Sequence, residues 1–371
     1  MVKSAVIQSL RLESGELLRN VPVSYRTWGS LNPTADNVIV VGHSLTSDSN
    51  AADWWRGCIG PGKALDTDRY FVVCANVVGS PYGTLAPSTL NPVTGCPFGS
   101  ALPQATVRDT VRLHKALLDT WGVCSIAFTI GGSMGGMHAL EWTFYGSDYV
   151  KGVVPIGVGG RHSAWCVAWS ESQRQAIYAD PLWQNGDYNP ANPPVKGMAA
   201  ARMMAMVSYR SYASFDRRFG RTHMGSGEFS VESWLRYHGD KIVARFDPAC
   251  YVYLTHLMDS HDLSRGRGPY EEVLASIDQP ALVVGMESDV LYPLEESMEL
   301  ARLMPNTRLH VMEGPHGHDT FLMDLDKLNR AVHHWRRQHI DPLVNPPRRH
   351  RGRTRDTKRT RIRSGAAPLI S

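Results

Sequence analysis

The stretch Gly131-Gly132-Ser133-Met134-Gly135-Gly136 follows directly on the run Ser125-Ile126-Ala127-Phe128-Thr129-Ile130. A β-branched and aromatic run, a G-x-S-x-G turn and then a helix form the signature of a nucleophile elbow. The turn is so tight that glycine is required around the serine, which leaves the hydroxyl at the tip of a strand-to-helix bend. A helix starting there aims backbone N–H groups at whatever the serine attacks. Alone, G-x-S-x-G is a weak signal, because ordinary glycine and serine usage produces it by chance roughly 0.1–0.2 times in a chain of this length. Its surroundings and its partners downstream decide.

Segments 9–12 and 21–25 flank the turn-like Glu13-Ser14-Gly15 and predict an antiparallel hairpin at a sheet edge. Buried-strand runs follow at 38–41, 70–74, 126–130, 150–156, 281–284 and 309–311, with helices expected over 106–120, 136–145 and 325–339. Strands buried on both faces with helical crossovers imply the α/β class: a mostly parallel central sheet flanked by helices. Between residues 157 and 278 strand signals stop, while Trp165, Trp169, Met198, Met203, Met204, Met206, Trp234 and Tyr237 fall in helical stretches. This predicts a helical lid insertion over the carboxyl ends of the strands. Its Met and Trp residues read as a helical core or a dimer interface rather than a cofactor box. The expected organisation is a core in two parts, 1–156 and 279–340, the insertion 157–278, and a basic disordered tail over 341–371.

The formal charge of +4 is misleading. Nine of the 39 basic residues, against a single acid (Asp356), lie between Arg348 and Arg363, so the rest of the chain carries a slight excess of acids. The body is therefore no polyanion binder. A solvated extension is the expected role of the tail, with a nucleic-acid arm as the sharper alternative. No run has the apolar length of a membrane span, and no basic-then-apolar signal opens the sequence, so a soluble, cytoplasmic protein without a membrane partner is expected. The six cysteines are scattered without a C-x-x-C pair, which predicts buried free thiols and no metal site.

A serine hydroxyl becomes a nucleophile when a base takes its proton, and that base needs a carboxylate to fix its tautomer. In elbow-bearing folds the partners follow in the order Ser, acid, His, each on a loop after a later strand. Strand 281–284 leads into Gly285-Met286-Glu287-Ser288-Asp289, and strand 309–311 into Glu313-Gly314-Pro315-His316-Gly317-His318-Asp319. Ser133, Asp289 and His318 are thus the expected triad, with Glu287 the rival acid and His316 the rival base. His261-Asp262 ranks lower because no strand precedes it. An oxyanion hole needs two backbone N–H groups. Met134, next to the nucleophile, supplies one, and Leu45 in the loop Gly42-His43-Ser44-Leu45-Thr46 after an early strand is the candidate for the other. His43 is read as shaping that loop, with no proton to transfer.

With those residues the chain resembles the homoserine O-acetyltransferase family of α/β-hydrolase-fold acyltransferases, which includes serine O-acyltransferases and deacetylcephalosporin C acetyltransferase. Matching stretches include Tyr25-Arg26-Thr27-Trp28-Gly29, Asp53-Trp54-Trp55, Gly60-Pro61-Gly62-Lys63-Ala64-Leu65-Asp66-Thr67 and Gly79-Ser80-Pro81-Tyr82-Gly83. Glu141-Trp142, Tyr209-Arg210-Ser211, Ser260-His261-Asp262, Arg265-Gly266-Arg267-Gly268, Ser288-Asp289 and Gly317-His318-Asp319 complete them. The resemblance implies an α/β-hydrolase fold with a helical lid and ping-pong transfer of an acetyl group from acetyl-CoA, through acetyl-Ser133, to L-homoserine. Acetyl-CoA would enter as a substrate, with no permanently bound cofactor. By position, Arg202 would bind the acceptor carboxylate, with Arg210 as competitor, and Asp319 would bind its ammonium group. Succinyl-transferring relatives tend to carry an arginine two residues past the triad aspartate; Leu291 stands there and favours acetyl. A homodimer through the helical insertion is implied as well. Ser44 and Ser47 depart from the family pattern, which leaves L-serine or a secondary-metabolite alcohol such as deacetylcephalosporin C as alternative acceptors. From another class, an esterase with the same triad is the competing reading.

Overall fold

The computed structural model describes residues 1–344. Eight strands form one sheet: β1 (Lys3–Arg11), β2 (Leu17–Trp28), β3 (Val38–Gly42), β4 (Phe71–Ala75), β5 (Ile126–Gly132), β6 (Val153–Ile156), β7 (Ala281–Met286) and β8 (Thr307–Met312). Their spatial order is β1-β2-β4-β3-β5-β6-β7-β8. The first two strands form the hairpin read from sequence, antiparallel and at the sheet edge, with Ser9 opposite Arg19. From β4 to β8 neighbouring strands run parallel.

The parallel strands bury both faces, as their continuous apolar runs require. In β3, Ile39 and Val41 enter one core cluster while Val38 and Val40 enter another on the opposite face. In β7, Leu282, Val284 and Met286 alternate in the same way with Ala281 and Val283. Helix α1 (Val107–Asp119) begins with a capping box in which Thr106 and Asp109 satisfy each other's backbone N–H groups. Asp109 also accepts the Glu13 N–H at 2.8 Å, which ties the hairpin turn to the helix. The closing helix, running from Leu325 to His339, presents Leu328, Val332 and Trp335 to the sheet at helical spacing.

Several boundaries differ from expectation. The helix after the elbow, α2 (Met134–Glu141), starts two residues early and tightens to a 3₁₀ turn over Trp142–Tyr145. Val150 makes only an isolated bridge to Ile126, so β6 begins at Val153. Of the cysteines, Cys96 and Cys124 are exposed, because both sit on connecting turns; the other four are buried thiols. Residues 341–344, assigned to the tail by composition, belong to the body: Asp341 pairs with Arg336 at 3.0 Å and accepts from Tyr70 at 2.6 Å, and Val344 is buried. The tail expected from its arginine run lies outside the described residues.

Between β6 and β7 the chain is helical: α3 (Ala164–Tyr178), α4 (Val195–Ser208), α5 (Tyr212–Phe219), α6 (Ser230–Val243), α7 (Pro248–Asp259) and α8 (Tyr270–Ala275). Met198 and Met206 pack into the core, whereas Trp165, Met204 and Tyr237 are exposed. Ion pairs fasten this segment to the sheet. Arg265 reaches Glu13 in the hairpin turn at 2.8 Å, Arg267 holds Glu141 at the end of α2, and Arg108 bridges both acids. Among the described residues no helix is long and apolar enough to cross a membrane.

Among the described residues Arg336 is the least exposed arginine or lysine. It is 2% exposed and donates to the carbonyls of Lys63 and Ala64 at 2.9 Å besides pairing with Asp341. Arg336→Met leaves those groups buried without the cation, and breaking such a pair typically costs about 3–5 kcal/mol. The expected result is a lower urea midpoint with an unchanged slope; an unaltered midpoint would contradict this role.

Candidate active site

The elbow is held by contact between backbones. Ser133 sits at φ 57°, ψ −127°, a region a non-glycine residue occupies only at a cost of about 1–3 kcal/mol. Glycines compress the turn: a Cβ on Gly131 would collide with the Gly135 carbonyl, and one on Gly135 would collide with that of Gly42 at the end of β3. The Ser133 N–H donates to Ile156 of β6 at 2.9 Å, and its carbonyl accepts from Gly136 at 2.8 Å. The hydroxyl makes no cap for the helix it precedes. It is therefore presented at the carboxyl edge of the sheet.

Two later loops meet at that edge. Asp289, after β7, is buried; its Oδ1 accepts the N–H groups of Leu291 and Tyr292, each at 2.9 Å, and Oδ2 accepts from His318 Nδ1 at 2.7 Å. That bond fixes the tautomer with Nε2 as the free, basic nitrogen, and Nε2 is buried without a hydrogen bond. His318 lies over Gly157 at the end of β6, where a Cβ would approach its Cε1 to 3.2 Å. Gly132 and Ile156 are paired neighbours on β5 and β6, so the imidazole and the serine share one corner of the sheet. The rings of Tyr292, Phe321 and Tyr209 surround the imidazole at 5.2, 5.5 and 6.0 Å. Burial works to lower the His318 pKa, but the charge and hydrogen bond of Asp289, with the charge of Asp319, outweigh it and raise the pKa above the usual histidine value.

The rivals are placed elsewhere. Glu287 is exposed. His316 lies in a surface groove with Arg217 and Lys327. His261 bonds the Gly159 carbonyl at 2.9 Å, and burial depresses its pKa to about 4. His43 is wholly buried, bonded to the Ser44 carbonyl through Nδ1 at 2.9 Å and accepting the Val77 N–H on Nε2 at 3.1 Å. Burial lowers its pKa, so it stays neutral and shapes the loop. Ser44 donates to Gly132 O at 3.1 Å and docks that loop against the elbow. Among the described residues neither the Leu45 nor the Met134 N–H donates to a turn, loop or cap carbonyl.

The helical segment adds charge. Arg202 on α4 lies 5.5 Å from the Tyr209 ring, which packs on His318, and its buried Nη1 has no hydrogen-bond partner. Asp319 faces the same corner: burial raises its pKa, against Arg210, His318 and Arg202, which lower it. Its neighbour Arg210 is 3.1 Å away. Sequence reasoning missed that pairing, and also the role of Ser288, whose hydroxyl accepts the Gly317 N–H and donates to Gly314 O, joining the acid loop to the histidine loop. Both lie in stretches already singled out, Tyr209-Arg210-Ser211 and Ser288-Asp289. No group of three His, Cys, Asp or Glu side chains among the described residues is placed to hold a metal ion.

Known proteins match the chain in sequence and in fold. Residues 37–324 match the α/β hydrolase fold family. The chain is 56% identical over 343 residues to the homoserine O-acetyltransferase of Salinibacter ruber, an alignment covering 91% of this chain and 97% of that protein. Among solved structures, esterase E22 aligns with a TM-score of 0.83 at 26% identity, over 90% of this chain and all of that one. The homoserine O-acetyltransferase of Staphylococcus aureus aligns with a TM-score of 0.75 at 27% identity, over 92% and 98%.

Asp289→Asn removes the charge that opposes burial at His318. Its imidazole then titrates at lower pH than in the unaltered protein, and ring-proton NMR reads the shift. Identical titration curves would refute the balance of forces described here.

Proposed function

The chain belongs to the homoserine O-acetyltransferase family of the α/β hydrolase fold and is an acyltransferase; from that premise we propose that it moves an acetyl group from acetyl-CoA to the hydroxyl of L-homoserine through an acetyl-enzyme. The observation that carries this reading is the pair of opposite charges beside His318. The unpartnered Arg202 guanidinium suits a carboxylate, and the Asp319 carboxylate suits an ammonium group. An acceptor with both termini of an amino acid is held between them with its side-chain hydroxyl free to reach the serine.

In the proposed cycle Ser133 Oγ attacks the thioester carbonyl while His318 Nε2 takes its proton, and Asp289 stabilises the resulting imidazolium. The N–H groups of Leu45 and Met134 receive the oxyanion, aided by the amino end of α2. The C–S bond breaks and the CoA thiolate takes the proton from His318. The acceptor hydroxyl then gives its proton to the same nitrogen and attacks the acetyl carbonyl, and Ser133 leaves with that proton returned. Leu291 supports the short acyl chain: its apolar side chain is buried in the core and offers no cation to a second carboxylate.

The likeness to an esterase favours a second reading, in which water takes the acyl group. One pair of variants separates them. Ser133→Ala abolishes both the covalent acetyl-enzyme, read by mass spectrometry, and acetyl transfer. Arg202→Met lowers transfer to homoserine by about 100-fold or more, the scale of losing a charged hydrogen-bond pair, while hydrolysis of p-nitrophenyl acetate stays within a few-fold. Equal loss of both activities in Arg202→Met, or transfer persisting in Ser133→Ala, would refute the proposal. Homoserine, serine and deacetylcephalosporin C offered against acetyl- and succinyl-CoA rank acceptors and donors.

A further inference from the structure

The carboxylate of Asp319 is steered from the helical segment. Arg210, in the turn between α4 and α5, brings Nε to 3.1 Å from Oδ2, with side-chain exposures of only 14% and 17% for the two residues. The approach is one of charge, since Nε makes no aligned hydrogen bond. On its other side the guanidinium donates from Nη1 to Met323 Sδ at 2.8 Å. The backbones around this pair are locked together. Asp319 N–H donates to Tyr209 O at 3.2 Å, and the Ser211 hydroxyl donates to Pro315 O. Gly317, at φ 64°, lies so close that a Cβ there would be 2.8 Å from the peptide joining Arg210 to Ser211. The turn 209–211 and the loop 315–319 thus form one clamped unit around His318.

We propose that Arg210 is a positioning residue for the second half of the reaction: it claims Oδ2 of Asp319, keeps that carboxylate anionic, and turns Oδ1 toward the ammonium group of the acceptor. The proposal rests on the functional reading above for the presence of that ammonium. Among the described residues Arg210, His318, Arg202, Asp289 and the Tyr209 phenol all face Asp319; burial raises the phenol's pKa, so it adds no cation. Asp289 opposes a second negative charge. His318 must give up its charge in every cycle to act as the base, and Arg202 is committed to the acceptor's carboxylate. Arg210 is the cation left to hold Asp319 ionised throughout the cycle. Its engagement by Asp319 and Met323 also explains why Arg202 serves the carboxylate.

The test uses the full chain with Arg210→Met and Arg210→Lys. In Arg210→Met the KM for homoserine is expected to rise at least 10-fold, with the p-nitrophenyl acetate burst within about 3-fold of the unaltered enzyme. The acid limb of kcat/KM for homoserine moves to higher pH, because a less supported Asp319 must lose its proton before it can bind the ammonium. Arg210→Lys restores the limb and most of the affinity. Carboxyl ¹³C NMR reads the Asp319 titration directly and should show it higher in the Met variant, whichever alcohol accepts. Equal loss of burst and transfer, no change in either, or an unmoved Asp319 titration overturns the proposal. An unaltered enzyme that gives the burst but passes no acetyl group to homoserine overturns the functional reading instead, and the carboxyl titration still decides the pairing.

Discussion

Where β3 and β5 end, there is no room for side chains between the backbones of Gly42, Gly131 and Gly135. Because α2 can start hard against the sheet only there, Ser133 is forced into a strained conformation whose hydroxyl cannot turn back to cap its own helix. The strain is supported by a hydrogen bond to β6 and by the packed glycines, so it costs little mobility at the point where geometry matters most. The acid and the base of the proposed mechanism are arranged with respect to this point. Parallel pairing of β5 through β8 brings the ends of β7 and β8 to the same edge, and the loops leaving those ends carry Asp289 and His318.

Much of this was legible from local pattern. The elbow, the hairpin at 9–25, the closing helix and the loops bearing the acid and the base each follow from a short-range signal: glycine spacing, alternation, or an apolar run ending in a polar loop. The choice between Asp289 and Glu287, two residues apart, was not local. It follows from burial, since the turn after β7 directs Asp289 inward onto two backbone N–H groups and leaves Glu287 in solvent. His316 and His318 are separated in the same way, by the turn at Gly317.

The limits of the sequence show in the charged residues. Arg265 and Arg267 carry no local hint of their partners, yet they fasten the helical segment to Glu13 and Glu141, residues up to 252 positions away, and Arg108 on α1 reaches back to the Asp262 carbonyl. Composition likewise set residue 341 outside the body, although Asp341 accepts a hydrogen bond from Tyr70, 271 positions away. In both cases long-range pairing overrides what a window of neighbours suggests. The Arg210–Asp319 pair belongs to this class: each residue stood in a matched stretch, but only the fold joins them.

A scaffold shared with an esterase cannot by itself decide between water and an alcohol as the second nucleophile. In the proposed mechanism the triad and the oxyanion donors serve both outcomes equally, because each passes through the same acyl-serine. What differs must act on the acceptor. Water is small and needs no orienting charges, whereas an amino alcohol gains occupancy from two ionic contacts placed at the right separation. The residues that supply those contacts in the proposed mechanism, Arg202 from α4 and Asp319 with its partner Arg210, all lie at the junction of the helical segment and the histidine loop. On that proposal the sheet provides a general acyl-serine chemistry, and the helical segment provides the charges that bias it toward transfer. Changes confined to that junction should therefore shift the outcome while leaving formation of the acyl-serine intact.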